Sequence, residues 1–276
     1  ESIYGSIIGR EISFGLAGIR RHTSTLRTQR MKKNDILSDV LLGKFVHGGQ
    51  CLATAPDGKT LFVWGGLPDE IVTVRIAKLK SSYAEAVVVA VLKPSRHRVE
   101  PKEPLSYLST SPWQILSFDA ENRFKQAIVH ETFEREGVPN IEWSTFYAGT
   151  DEYGYRNKME IGFWGDDKGL HLAHYKRGSH KKQIVENNAL VASSINQAAR
   201  DVRDGLQKLG VWAGKLKTLV LRCNQADQAV GALFVKQEFD MTGFELPKSL
   251  QGLDVYYSNP KSPASVPTKK VYSFGD

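Results

Sequence analysis

Apolar residues recur along this chain at two spacings, and the spacing changes near residue 98. Between Leu41 and Leu92 they fall in short runs with no helical period. Val72, Val74 and Ile76 alternate with Thr73, Arg75 and Ala77, the two-residue period of a strand with one face turned inward. Asp57-Gly58 separates Cys51-Leu52-Ala53 from Leu61-Phe62-Val63-Trp64, which predicts a hairpin. The run Ala84 to Leu92 predicts a strand buried on both sides. Gly48-Gly49 and Gly65-Gly66 neither open a helix nor carry a Lys-Ser/Thr pair, so they predict tight turns rather than a phosphate loop. Four or five short strands of this kind close into a small OB-like β-barrel, placed at residues 37–97.

Past the Pro94 to Pro104 linker the period lengthens. Asp119 is placed to cap a helix with Ala120, Phe124, Ala127 and Ile128 on one side, ending near Gly137-Val138-Pro139. Met159, Ile161 and Phe163 alternate, Gly165 to Gly169 reverses the chain, and Leu170 and Leu172 continue a second strand. Val191, Ile195, Ala198, Val202, Leu206 and Leu209 fall at three- and four-residue steps before Gly210, which predicts a second helix. Strands follow at Leu216 to Arg222 and Ala229 to Val235. Residues 98–276 therefore read as an α+β domain behind the barrel.

Charge changes this picture less than its total suggests. The 276 residues carry a net charge of +7, but seven of the Lys and Arg, against two Glu, lie within residues 1–34. That segment, 1–36, reads as a basic, disordered extension, and Met31 resembles an ordinary start, so residues 1–30 are expected to be foreign to the native protein. No apolar run approaches the roughly 20 residues of a membrane helix. Two cysteines, Cys51 and Cys223, are too few for a disulfide framework or a cysteine-ligated cluster, which points to a reducing, cytoplasmic setting.

Three stretches share one further property. Gly43 to Ala53, Leu61 to Glu70 and Pro94 to Pro101 together resemble the TRAM domain, a small RNA-binding β-barrel, in the position it holds in the RNA (uracil-5-)-methyltransferase family. Trp113 to Phe118, Phe124 to Gln126 and Tyr155 to Glu160 follow in the order of that family's central domain, so the resemblance covers residues 41–276. It implies rRNA or tRNA as partner, a monomer, and S-adenosylmethionine as cofactor of the full-length enzyme. In the family a cysteine attacks carbon 6 of uracil and a carboxylate removes the carbon 5 proton. That chemistry belongs to a doubly wound methyltransferase domain, which is expected not to be present in this chain. The expectation is thus a fragment, with no catalytic residue and no cofactor bound by this chain alone. A noncatalytic RNA-binding adaptor built on a TRAM barrel is the alternative.

The resemblance also flags departures. Relatives that bind an iron-sulfur cluster place cysteines after the barrel, whereas Lys102 to Trp113 contains none, so no iron-sulfur cluster is expected. Cys223-Asn224 mimics the start of the family's Cys-Asn-Pro, but Gln225 follows, and Cys223 reads as a strand-end residue. His171 and His174 project to opposite faces of a strand and do not form a metal site.

RNA contact is expected from two clusters. In the second domain, Tyr155 to Lys182 has a local charge of +4, and Tyr155, Arg156, Lys158, Lys176, Arg177, Lys181 and Lys182 are its candidates. Cations neutralise phosphates and the tyrosine can stack on an unpaired base. In the barrel the candidates are Arg75, Lys78, Lys80, Arg96 and Arg98.

Overall fold

The alternation of Val72, Val74 and Ile76 is realised in β5 (Ile71–Leu79), where all three side chains are fully buried. Burial of one such side chain contributes about 1.5–3 kcal/mol of transfer free energy. The structure, a computed structural model, describes residues 31–177 and 179–275, so the basic extension lies outside the described residues as far as residue 30. β5 belongs to a six-stranded sheet with β1 (Ile36–Leu41), β2 (Phe45–Val46), β3 (Gln50–Thr54), β4 (Thr60–Trp64) and β6 (Tyr83–Lys93), in the order β1-β5-β6-β4-β3-β2. The Gly43 N–H donates to Leu52 O at 2.7 Å and the Leu52 N–H to Lys44 O at 3.0 Å. These bonds join the chain leaving β1 to β3 and bring the sheet round on itself. β3 and β4 form the hairpin about Asp57-Gly58, and Gly58 takes the left-handed φ of +83° that such a turn requires.

One strand differs from its sequence reading. β6 buries only Ala84 and Ala86 fully, while Val89 and Leu92 are half exposed and Glu85 faces outward to Lys78. A closed sheet has one interior, so an apolar run along a strand does not imply two buried faces. The barrel's core extends further along the chain than its strands do. It takes in Ile115, Leu116 and Ala120, with Phe124 and Ile128 packed against it, from α2 (Phe118–Arg135) and the turn before it. Phe45 meets Trp113 at 5.2 Å and Phe124 edge-on at 5.0 Å. The apolar stripe of α2 therefore serves the barrel. Ser117 is its N-cap, and Asp119 sits in the first turn, where a carboxylate favours the helix dipole.

The second sheet has seven strands: β7 (Lys158–Asp166), β8 (Gly169–Tyr175), β9 (Lys182–Ile184), β10 (Leu216–Cys223), β11 (Ala229–Val235), β12 (Leu250–Tyr257) and β13 (Lys269–Gly275). Their order is β13-β12-β11-β10-β7-β8-β9, antiparallel throughout except for the parallel pair β11–β12. Met159, Ile161 and Phe163 of β7 and Leu219 and Leu221 of β10 face α3 (Ser193–Lys208), whose Ile195, Ala198, Val202 and Leu206 are completely buried. The opposite face carries Lys158, Glu160, Trp164, Arg222 and Val230, all exposed. At one edge of it the Lys217 ammonium donates to Ser258 Oγ and to the carbonyls of Asn259, Ser262 and Ala264 at 2.7–3.1 Å, tying down the β12–β13 connection. Among the described residues no helix is long and apolar enough to cross a membrane.

Candidate nucleic-acid interface

The β8–β9 turn carries four of the candidate cations and uses them differently. Backbone bonds from Lys176 N–H to Lys181 O, 2.8 Å, and from Ser179 N–H to Lys176 O, 3.0 Å, fix its ends, and Lys176 and Lys181 extend into solvent. Lys182 lies back on the exposed Tyr175 ring, 3.6 Å from its centroid. Arg177 turns the other way. Its guanidinium stands 4.4 Å over the ring of Trp64 on β4, and its Nε donates to Leu108 O at 2.7 Å in α1 (Tyr107–Thr110). Burial lowers its pKa, and the interaction ties the open sheet to the barrel unit.

At the start of β7, Arg156 is held by its backbone, which accepts from Ala192 N–H at 3.0 Å and donates to Leu190 O at 2.8 Å. Its guanidinium stands 5.8 Å from the exposed Tyr155 ring. Lys158 lies directly across the ladder from Arg222 of β10, and both are exposed. Like charges in that relation destabilise a sheet unless an anion lies between them. Arg222 was not among the sequence candidates. Its signal was the register of two strands some 60 residues apart, which periodicity within one strand does not supply.

The barrel candidates separate further. Arg75 is half-buried on β5, Lys78 pairs with Glu85 at 3.0 Å, and Lys80 and Arg96 are exposed, with Arg96 Nε donating to His97 Nε2 at 3.2 Å. Arg98 is corrected. Its Nε and Nη2 grip both oxygens of the fully buried Glu70 at 2.6 and 2.7 Å, and Nη2 also donates to Gly65 O at 3.0 Å. Glu70 accepts the N–H groups of Leu67 at 2.9 Å and Ser95 at 3.0 Å as well. Burial pushes the Glu70 carboxyl up, but the Arg98 bond and the two N–H groups outweigh it and hold the pKa below the ordinary value. The guanidinium of Arg98 is a structural clamp, with its Nε and Nη2 already engaged.

The window Lys102 to Trp113 contains α1 and leads into the turn before α2. Glu103 Oε2 accepts Thr110 Oγ1 and Gln114 Nε2, both at 2.8 Å. Beside it, a cleft of about 440 Å³ opens between the first turns of α2 and residues 146–155. Tyr153 lines it, its hydroxyl pushed up to about 12 by burial and by Glu152. Cys51 is completely buried with its thiol on Gly66 O at 3.3 Å, and burial raises its pKa. Cys223 closes β10, donating its N–H to Asn157 O at 3.1 Å. His171 pairs with Asp166 at 2.8 Å, whereas burial lowers the pKa of His174 on the opposite face.

A small closed sheet is thus linked through Arg177 to an open sheet edged with cations and exposed aromatics. Residues 38–89 match the TRAM domain. The uncharacterized RNA methyltransferase FN1713 of Fusobacterium nucleatum is 25% identical over 226 residues, covering 79% of this chain and 48% of that protein. The 23S rRNA (uracil(1939)-C(5))-methyltransferase RlmD of Halomonas elongata is 26% identical over 199 residues, covering 71% of this chain and 41% of its own length. An uncharacterized RNA methyltransferase of Thermotoga maritima is 27% identical over 226 residues, covering 78% and 50%. Among solved structures, the Pyrococcus abyssi tRNA (uracil-54, C5)-methyltransferase in complex with S-adenosyl-L-homocysteine aligns with a TM-score of 0.60 at 14% identity, over 86% of this chain and 55% of that one. Over most of its described length the chain is thus similar to RNA methyltransferases, two of them named as acting on uracil carbon 5. It spans about half the length of the curated relatives it matches.

The structural likeness corrects the expected fold class. A barrel plus an α+β domain set apart from any methyltransferase fold is overturned by the match, in which a methyltransferase shares its fold with 86% of the chain, both sheets included. The reason lies in topology. The sequence reading treated the strands after Gly210 as local hairpins and did not include β12, β13 or the parallel β11–β12 step, which sequence-local turn signals do not mark.

Proposed function

We propose that this chain serves S-adenosylmethionine-dependent methylation of uridine carbon 5 in RNA, and that its two sheets hold the RNA. The observation that supports this most is that similarity to RNA methyltransferases runs through both sheets and the helices between them, not through the barrel alone. The candidate contacts are Tyr155, Arg156, Lys158, Lys176, Lys181 and Lys182 on the open-sheet side and Arg75, Lys80 and Arg96 on the barrel side. Cations placed there bind phosphates regardless of sequence and fix the register of the RNA.

S-adenosylmethionine, when bound, supplies the methyl group. A cofactor cradle needs a helix N-terminus whose N–H groups are open to a ligand. At the N-terminus of α3 the Asn196 side chain accepts Asn188 N–H at 2.8 Å and donates to Asn188 O and Val191 O at 3.0 and 3.2 Å, which fills that end. That end does not fit the cofactor, and Tyr155 with the candidate cations is assigned binding and orientation of RNA. The relatives' names divide between 23S rRNA and tRNA. Transcripts of each, incubated with the chain and methyl-labelled S-adenosylmethionine, decide the substrate. Salt-dependent RNA binding with no label in either transcript supports the adaptor alternative instead.

A further inference from the structure

We infer that Trp212, with Trp164 beside it, forms a stacking platform for unpaired RNA bases at the corner where α3 runs into β10. The inference rests on the RNA-binding reading above and adds to it a site that takes bases whatever their identity. It lies toward the opposite end of β7 from Tyr155, since Tyr155 precedes that strand and Trp164 stands near its close.

A tryptophan is ordinarily turned inward, because its indole carries a large apolar surface. Trp212 is 71% exposed and Trp164 46% exposed, yet both are held in place. The Trp212 ring lies against Gly214, where a Cβ would overlap it. The φ of Gly214 is not positive, so what the glycine provides there is room for the ring rather than a special backbone conformation. One side of the indole is thereby seated and the rest is left to water. Trp164 projects from the exposed face of β7. A Cβ on Gly165 would stand 3.1 Å from Ala213 Cβ, so β7 meets the short turn Ala213–Lys215 at a contact that each tryptophan immediately precedes. A ring already fixed on one side loses little freedom when a base stacks on it.

The surroundings are cationic. Lys208 closes α3, the Lys215 N–H donates to Trp212 O at 3.0 Å, and the Lys236 N–H donates to Lys215 O at 2.7 Å. The β7–β8 turn joins them, because Leu170 N–H donates to Gln207 Oε1 at 2.8 Å, one residue before Lys208. With Lys168 of that turn there are four cations against Asp166 and Asp167, a local charge of +2. Asp166 is engaged by His171 at 2.8 Å, and the next acids, Asp204 and Glu238, are paired with Arg203 and Lys269. Rings for the bases and cations for the phosphates are the two parts a single-strand site needs. An apolar protein partner would leave the lysines uncompensated.

The test uses the full chain and two fluorescein-labelled eight-unit probes of equal charge: octauridylate, and the same ribose-phosphate chain without bases. Octauridylate should bind about tenfold tighter, within the range of one stacked base. Trp212→Ala should cut that ratio at least about threefold while the affinity for the baseless chain and the salt slope stay unchanged. Trp212→Phe should restore most of the ratio, and Gly214→Ala, which unseats the ring but keeps it, should lower it. Lys208→Ala combined with Lys236→Ala should flatten the salt slope and leave the ratio as it was. Salt-dependent binding of both probes with equal affinity, or a ratio that Trp212→Ala leaves intact, overturns the platform and leaves the RNA reading standing. So does self-association that Trp212→Ala abolishes without changing either affinity, which would make this corner a contact between copies of the chain. Absence of salt-dependent binding to either probe overturns both.

Discussion

Among single residues, Arg98 shows how the same side-chain chemistry takes opposite roles according to what lies opposite. On sequence it is one of five barrel cations expected to contact RNA; in the fold its partner is Glu70, 28 residues back, with both carboxylate oxygens engaged. Removing one member of a buried pair leaves an uncompensated charge and costs about 3–5 kcal/mol. Arg98→Ala should therefore lower the melting temperature sharply at neutral pH, while RNA affinity measured well below that temperature stays near wild type. The pH dependence follows from the depressed pKa of Glu70. Its contribution to stability is full above the unfolded carboxylate value, about 4.3, and is lost as pH falls through the lower folded value. Without Arg98 the buried carboxyl is pushed up instead, so protonation relieves the defect. The gap between variant and wild type should narrow as pH falls from 7 toward 4; a gap that widens would show that Arg98 does not act through Glu70. Nothing in the sequence marks this pair, because the residues are joined only by closure of the barrel.

At the scale of elements, the β8–β9 turn and the β7–β10 ladder make separable predictions. Lys176 and Lys181 reach solvent, so replacing both by Ala should reduce the slope of log affinity against log salt by about 1.4, at roughly 0.7 per phosphate contact on single-stranded RNA. Arg177→Ala should leave the slope unchanged and instead increase hydrogen exchange around Trp64 and Leu108, the two contacts it makes with the barrel unit. An equal fall in slope for Arg177→Ala would make it a phosphate ligand after all. Across the ladder, Lys158 opposes Arg222, an arrangement costing a few tenths to about 1 kcal/mol without an anion. Arg222→Ala should raise thermal stability slightly in the free protein and weaken RNA binding, a pairing of signs that a merely structural arginine would not give. These elements were legible unevenly. The alternation of Met159, Ile161 and Phe163 and the three-four spacing from Val191 correspond to β7 and α3, since each is a property of one segment. The stripe on α2 was equally legible, but not the surface it covers, and the two-sided burial read into Ala84 to Leu92 failed because composition alone does not tell how many faces a strand buries.

Across the whole molecule, the question is whether the two sheets act on RNA together. They are joined by Arg177, which reaches back from the open sheet to Trp64 and to Leu108 O. RNA that spans both sheets gains effective concentration for its second contact once the first has formed. If the units are held in one register, neutralising Lys80 and Arg96 on the barrel side and Lys176 and Lys181 on the sheet side should each weaken binding of a long hairpin RNA, and the combined loss should exceed the sum. For an eight-nucleotide RNA, too short to bridge, the losses should simply add or fall on one side alone. Arg177→Ala makes the test specific to the joint: it should bring the long RNA toward additivity while leaving the short RNA unchanged. Additive losses on the long RNA in the unmodified protein would mean that the barrel and the open sheet bind independently. Recognition by this chain would then be the work of two separate surfaces, with the Trp64–Arg177 contact serving stability alone.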